Sequence, residues 1–288
     1  MIQLWVRGRA RGPSPFPTRV AQAGRTLGAV FVVLVFVPPL LLLVAGSLYE
    51  PGRPPSPTPH LMPDPLSTQG YGLAVHIGGL FRAAGNSLLV AAVAVPGSVL
   101  VASLAGFALA RLRGRVVGVV VAASLLALMV PATALLVPRF ALFRFLGVTD
   151  TLVPLVAPAL IGTSPLYVLV YFLAFRALPA ELYDACRIED VTPLRTWWRV
   201  GLPLVRPVTA AVTALTFVLT WSNFLDPLVY LYDRDRFTLP LALRSLSTLD
   251  RTDFPVFLAG AVLTTIPALV VFGLALGLAQ RKFNDLGS

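Results

Sequence analysis

The stretch Ala83–Ala110 reads AAGNSLLVAAVAVPGSVLVASLAGFALA, and it decides the fold. Its 28 residues include no Asp, Glu, Lys or Arg. About 20 apolar residues suffice for a helix to cross the hydrocarbon core of a bilayer. Five more runs have the same character: Leu27–Tyr49, Val116–Pro138, Thr151–Phe175, Pro207–Tyr232 and Phe254–Gln280. Only the fifth of the six contains a charge, Asp226, near its end. None alternates in polarity as a barrel strand does. The expectation is an all-α integral membrane protein with six transmembrane helices. Composition agrees, with 57% hydrophobic and 12% charged residues in a chain of 288. A soluble domain carries about 25% charged residues, so a water-soluble enzyme is excluded.

The charge that remains is lopsided, +10 in total, with Lys282 the single lysine. In a soluble protein such an excess would suggest nucleic acid. In a membrane protein it follows from the retention of Lys and Arg in cytoplasmic loops, and no nucleic-acid partner is expected. Fifteen basic residues fall on the side of the two termini and eight on the other, while the acids divide five to eight. Both termini are therefore placed in the cytoplasm. Residues 1–26 are read as a cytoplasmic basic tail and 27–288 as the transmembrane domain. Val44-Ala45-Gly46 looks like a cleavage site, but the long basic tail and long apolar core argue for a retained first span. One cysteine, Cys186, and two histidines, His60 and His76, give no disulfide framework and no metal site.

The connections differ from one another. Residues 50–66 carry seven prolines and read as a stiff external spacer. Residues 176–206 hold nine of the 36 charged residues. Within them, Glu181–Val191 opens on an acid, lacks Pro and Gly, and places Arg187 late, as a short helix on its dipole would. A second short segment, Leu194–Leu202, stops at Pro203. Two amphipathic helices under the membrane suit a docking surface; the alternative is a solvated loop.

The fifth run has a polar stripe, Thr209, Thr213, Thr216, Thr220 and Asn223, on one helical face. Such a stripe either packs against neighbouring helices or lines a passage for a polar solute. Trp221 beside it stacks on a sugar ring or anchors the helix at the interface. Ser98, Ala102, Gly106 and Ala110, and separately Gly273 and Gly277, recur every four residues as packing seams. Prolines inside or near the runs, among them Pro131 and Pro158, imply kinked helices. Five runs contain no ionisable residue to couple to an ion gradient. Asp226, next to Pro227, is read as an interface residue that reaches water. No P-loop exists around Lys282, no catalytic constellation appears, and no cofactor is expected. Uphill transport would need energy from another subunit.

The loop carries a recognisable pattern. Pro179-Ala-Glu-Leu-Tyr-Asp-Ala-Cys-Arg-Ile-Glu-Asp-Val-Thr-Pro193, followed by Trp198-Arg-Val-Gly-Leu-Pro-Leu-Val-Arg-Pro207, resembles the EAA loop of ABC importer permeases. Asn86-Ser87, Ala108-Leu-Ala-Arg-Leu-Arg113, Trp221-Ser-Asn-Phe-Leu225 and Gln280-Arg-Lys-Phe283 extend the likeness over nearly the whole chain. It is most similar to the carbohydrate permeases of the maltose MalG family. The resemblance implies a type I ABC importer permease (MetI-like) fold in the cytoplasmic (inner) membrane of a prokaryote.

It also implies partners: a second permease subunit in a heterodimer, two ATP-binding subunits and an extracytoplasmic solute-binding protein. The loop would be the coupling helix, with Glu181 the leading acid and Asp184-Ala185-Cys186 in place of Glu-Ala-Ala. Arg187 lies within it. Glu189 stands where the family has Asp, and Asp190 where it has Gly at a turn of positive φ; Asp tolerates that conformation. Thr213, Thr216, Thr220, Trp221 and Asn223 become candidates for the translocation pathway of a sugar or polyol moved by alternating access. The alternatives are another polar solute such as a glycerol phosphate, an ion-driven carrier or channel, and an assembly subunit that has lost transport.

Overall fold

The computed structural model describes residues 18–53, 65–161 and 164–285. The first 17 residues of the basic tail and residues 54–64 of the proline-rich spacer, with His60, lie outside them. All regular structure among the described residues is helical. The long helices are α1 (Thr18–Ser47), α3 (Leu80–Arg111) and α14 (Phe254–Asp285). Between them run α2 (Gln69–Gly78), α4 (Arg115–Met129), α5 (Leu136–Phe145), α6 (Val153–Ile161) and α7 (Pro165–Arg176). There follow α8 (Ala180–Ile188), α9 (Pro193–Thr196), α10 (Leu202–Leu204), α11 (Arg206–Trp221), α12 (Leu225–Tyr230) and α13 (Leu239–Leu246).

Four segments are long and apolar enough to cross a bilayer: Thr26–Ser47, Leu80–Arg111, Val153–Arg176 and Phe254–Val271. The count reaches six when two bent pairs are each taken as one span. The first pair is α4 with Ala132–Phe145, bent by 86° at Val130-Pro131. Proline cannot donate the next helical hydrogen bond and pushes the residue before it into extended conformation. Val130 accordingly has φ −77° and ψ 119°. The second pair is Pro193–Leu204 with Arg206–Trp221, bent by 85° around Val205. The expected fifth run is also interrupted, because α11 stops at Trp221 and α12 begins only at Leu225.

α3 is the central pillar, packed along its length against α7, α11, α6 and α13. At 32 residues it is about 48 Å long. Its two ends sit in separate cores. Leu80 and Ala83 pack with Trp221, Leu239, Leu246 and Val256 at one end. Ala102 and Phe107 pack with Tyr171, Phe175, Trp197 and Val205 at the other. The small-residue seam of α3 explains the closeness of α7. A Cβ added at Gly106 would lie 2.8 Å from the Phe172 nitrogen and 2.9 Å from the Val168 oxygen, both backbone atoms of α7. Only glycine fits there. The second expected seam behaves differently: a Cβ at Gly273 would meet nothing within 4 Å. Among the described residues no helix closes on Gly273, and the surroundings of Gly277 lie outside what is described.

Candidate functional site

The loop between α7 and α11 is built, not merely solvated. Pro179 precedes α8, Glu181 stands in its first turn and Arg187 in its last, the arrangement a helix dipole favours. At its C-terminus the Val191 N–H donates to the Cys186 carbonyl (2.9 Å) and the Asp190 N–H to the Arg187 carbonyl (3.2 Å). These two bonds form a Schellman motif, which requires a left-handed residue after the cap. That residue is Asp190, with φ +51°, one of two non-glycine residues of positive φ among those described. The chain then enters α9, a π-turn at Trp197–Gly201 and α10.

Glu181, Asp184, Ala185, Arg187, Glu189 and Asp190 are all exposed, and Cys186 is half-buried with a free thiol. No described ion pair involves any of the loop's charges. Ile188 is 84% exposed and Trp198 64%, so apolar surface lies beside the charged face. Tyr183 and Trp197 turn the other way. Trp197 is buried in the core at the foot of α3 and α7, and Tyr183 packs against that core. Burial pushes the Tyr183 hydroxyl above its ordinary range, with the Arg111 charge opposing.

The polar stripe of α11 divides. Thr216 is 5% exposed and its hydroxyl donates to the Val212 carbonyl at 2.7 Å. Trp221 is 6% exposed, stacks on Phe217 with centroids 5.4 Å apart and donates its Nε1–H to the Thr264 carbonyl at 3.0 Å. Thr216 therefore bonds within α11, whereas Trp221 joins α11 to α14. Thr213, Thr220 and Asn223 are half-buried. Asn223 sits in the break after α11, where its Oδ1 accepts the Asp226 N–H at 3.3 Å and its Nδ2 donates to Asp226 Oδ2 at 2.9 Å. These two bonds bridge the break between α11 and α12.

Asp226 is not merely an interface carboxylate. Its Oδ1 accepts from Arg139 Nη2 at 3.1 Å, and both side chains are about three-quarters buried. The Arg139 guanidinium also lies 5.9 Å from the Tyr230 ring centroid. This pair ties α5 to α12 across the broken fifth run. The clue in the sequence was a lone basic and a lone acidic residue, each in apolar surroundings; nothing there paired residues 87 positions apart.

A second polar assembly follows α12. Asp150 Oδ1 accepts the Tyr232 N–H (2.9 Å) and the Asp233 N–H (3.0 Å), and Arg236 pairs with Asp150 Oδ2 at 3.0 Å. The two backbone donors, Asp233 first, hold the Asp150 carboxyl below the usual carboxylate range, with the Arg236 charge adding to them against desolvation. From the other side Asn86 Nδ2 donates to the Asp235 and Phe237 carbonyls (2.9 and 3.0 Å). The Ser87 hydroxyl accepts the Leu239 N–H at 2.8 Å, and Arg82 pairs with Asp235. Residues 231–239 are thus fastened both to the turn after α5 and to the start of α3.

The profile described as binding-protein-dependent transport system inner membrane component matches residues 67–284. The arabinooligosaccharides transport system permease protein AraQ of Halalkalibacterium halodurans is 32% identical over 259 residues, covering 86% of this chain and 89% of that protein. The lactose transport system permease protein LacG of Rhizobium radiobacter is 31% identical over 188 residues, 65% of this chain and 68% of its own. The trehalose transport system permease protein SugB of Mycobacterium tuberculosis is 27% identical over 73% of this chain and 77% of its own. Among solved structures, a bacterial ABC transporter involved in the import of the acidic polysaccharide alginate aligns with TM-score 0.75. It has 20% identity and covers 92% of this chain and 99% of that one, which shows a shared fold.

Proposed function

The chain belongs to the family of binding-protein-dependent transport system inner membrane components, and on that premise we propose how it works as a permease subunit of an ATP-driven sugar importer. It is a multi-pass membrane protein and a transporter subunit, not an enzyme. ATP is hydrolysed by separate ATPase subunits, and a solute-binding protein delivers the cargo. The partner permease is a different chain, so the transmembrane core is a heterodimer. Both termini and the α8–α10 loop face the cytoplasm, in line with the excess of basic residues on that side.

The observation that carries this reading is the loop. Its acids and arginines are exposed and make no ion pair among the described residues, flanked by exposed Ile188 and Trp198. Such a surface fits a groove on an ATPase that offers complementary charge and an apolar floor. Glu181, Asp184, Ala185, Cys186, Arg187, Glu189 and Asp190 form its docking face. ATP-driven closure of the ATPases displaces the loop, and the helices rock between outward- and inward-facing states.

The cargo is a sugar or related polyol. The relatives' transport systems are named for arabinooligosaccharides, lactose and trehalose. The hydroxyl and amide groups of Thr213, Thr220 and Asn223 suit a neutral, hydroxyl-rich solute. Trp221 holds α11 against α14 through its bond to Thr264, while Thr216 is buried and bonds to Val212 within α11. The test is affinity purification from the native membrane followed by reconstitution. An ATPase and a binding protein are expected to copurify, and sugars of this class to stimulate ATP hydrolysis. Recovery of the chain without any ATPase overturns the proposal.

A further inference from the structure

α8 is held to the rest of the chain by very little. None of its residues is buried, and its charged side chains point outward. Among the described residues, it makes one side-chain hydrogen bond to another element: Tyr183 Oη donates to the Phe175 carbonyl at 2.9 Å. Phe175 lies in the last turn of α7 and is completely buried. The Tyr183 ring lies 6.1 Å from the Phe107 ring of α3. The Arg111 guanidinium, at the end of α3, sits 5.4 Å from the Phe107 centroid and 5.9 Å from that of Tyr183. One side chain of α8 thus touches both α3 and α7. These two helices are locked together, backbone against backbone, at Gly106. Leu178-Pro179 precedes α8, and Val191-Thr192 lies between it and α9, which opens at Pro193.

We propose that Tyr183 is the positioning residue that makes α8 and the α3–α7 pair move as one body. A displacement of the loop then becomes a displacement of the spans. The inference rests on the importer reading and adds the element that transmits the force. Tyr183 lies outside the docking face and so is not needed for the ATPase to bind. Its hydroxyl, a protonated donor at neutral pH as any tyrosine's is, donates to the Phe175 carbonyl. The cation above the two aromatic rings adds an electrostatic attraction that strengthens as water is excluded.

The experiment uses the complete complex, with both permeases, the ATPase and the binding protein, reconstituted in proteoliposomes. Trehalose and an arabinose oligosaccharide serve as probes. Copurified ATPase, ATP hydrolysed and sugar imported are measured for the wild type and for Tyr183→Ala, Tyr183→Phe and Arg111→Gln. In Tyr183→Ala the ATPase is expected at wild-type stoichiometry and hydrolysis to continue, while sugar imported per ATP falls about tenfold. Tyr183→Phe keeps the ring and loses the hydrogen bond, so it falls less, as does Arg111→Gln. Unchanged import per ATP in Tyr183→Ala overturns the inference. Should Tyr183→Ala fail to assemble, the two milder variants decide: a lowered ratio with ATPase bound supports the inference, and an unchanged ratio overturns it. A wild-type complex without ATPase would instead overturn the importer reading.

Discussion

Asp190 is where a single side chain carries a backbone cost. Its φ of +51° closes the Schellman turn after α8, and a non-glycine residue in that region costs about 1 kcal/mol relative to glycine. Asp190→Gly is expected to raise the thermal stability of the purified chain by up to that amount, whereas Asp190→Val should lower it. Arg139 and Asp226 present the opposite case, a pair worth little in itself but costly to halve. Each is about three-quarters buried and held at 3.1 Å. Arg139→Gln or Asp226→Asn alone leaves an uncompensated charge in apolar surroundings and should cost about 2–4 kcal/mol. The double variant should recover much of that loss. A double-mutant cycle read by thermal unfolding in detergent checks the coupling; simple additivity would mean the pair does not act as a unit.

At the scale of elements, the apolar runs were readable because lipid leaves a helix no choice but to be long and charge-free. Ala83–Ala110 needed no partner to be recognised, and α3 covers it with three residues to spare at its start. The breaks were less readable. Pro131 announces that a helix must stop, but the 86° turn depends on where α5 finds its packing. That place is Tyr230, stacked with Phe140 and edge-on to Phe143, nearly a hundred residues later. The stripe on α11 shows the same limit. Periodicity put five polar residues on one face, yet only the neighbours reveal that Thr216 and Trp221 are closed inside the bundle. Seams divide likewise: Gly106 meets a backbone and Gly273 meets open space, from similar spacings. Gly106→Ala should therefore separate α3 from α7 and cost about 1–3 kcal/mol by overpacking, measured as a fall in unfolding temperature. Gly273→Ala serves as the control and should leave the isolated chain unchanged or slightly more stable.

On the scale of the whole molecule, apolar surface is exposed on a scale that water would not tolerate. Phe31, Leu34 and Phe36 on α1, with Val137 and Phe145 on α5, are each more than 60% exposed. Lipid and a partner permease are the environments that cover such faces. Among the described residues, charge gathers in the exposed loop, in the fastened segment 231–239 and in the Arg139–Asp226 tie. On the proposed function, energy enters at the loop, from outside the chain. The most direct test is sugar uptake by proteoliposomes containing the complete complex, with ATP enclosed at the ATPase face and binding protein on the other. An arabinose oligosaccharide or trehalose is expected to accumulate above its external concentration, and to stop doing so when ATP or the ATPase subunit is left out. Uptake that persists at the same rate without the ATPase would contradict the proposed function.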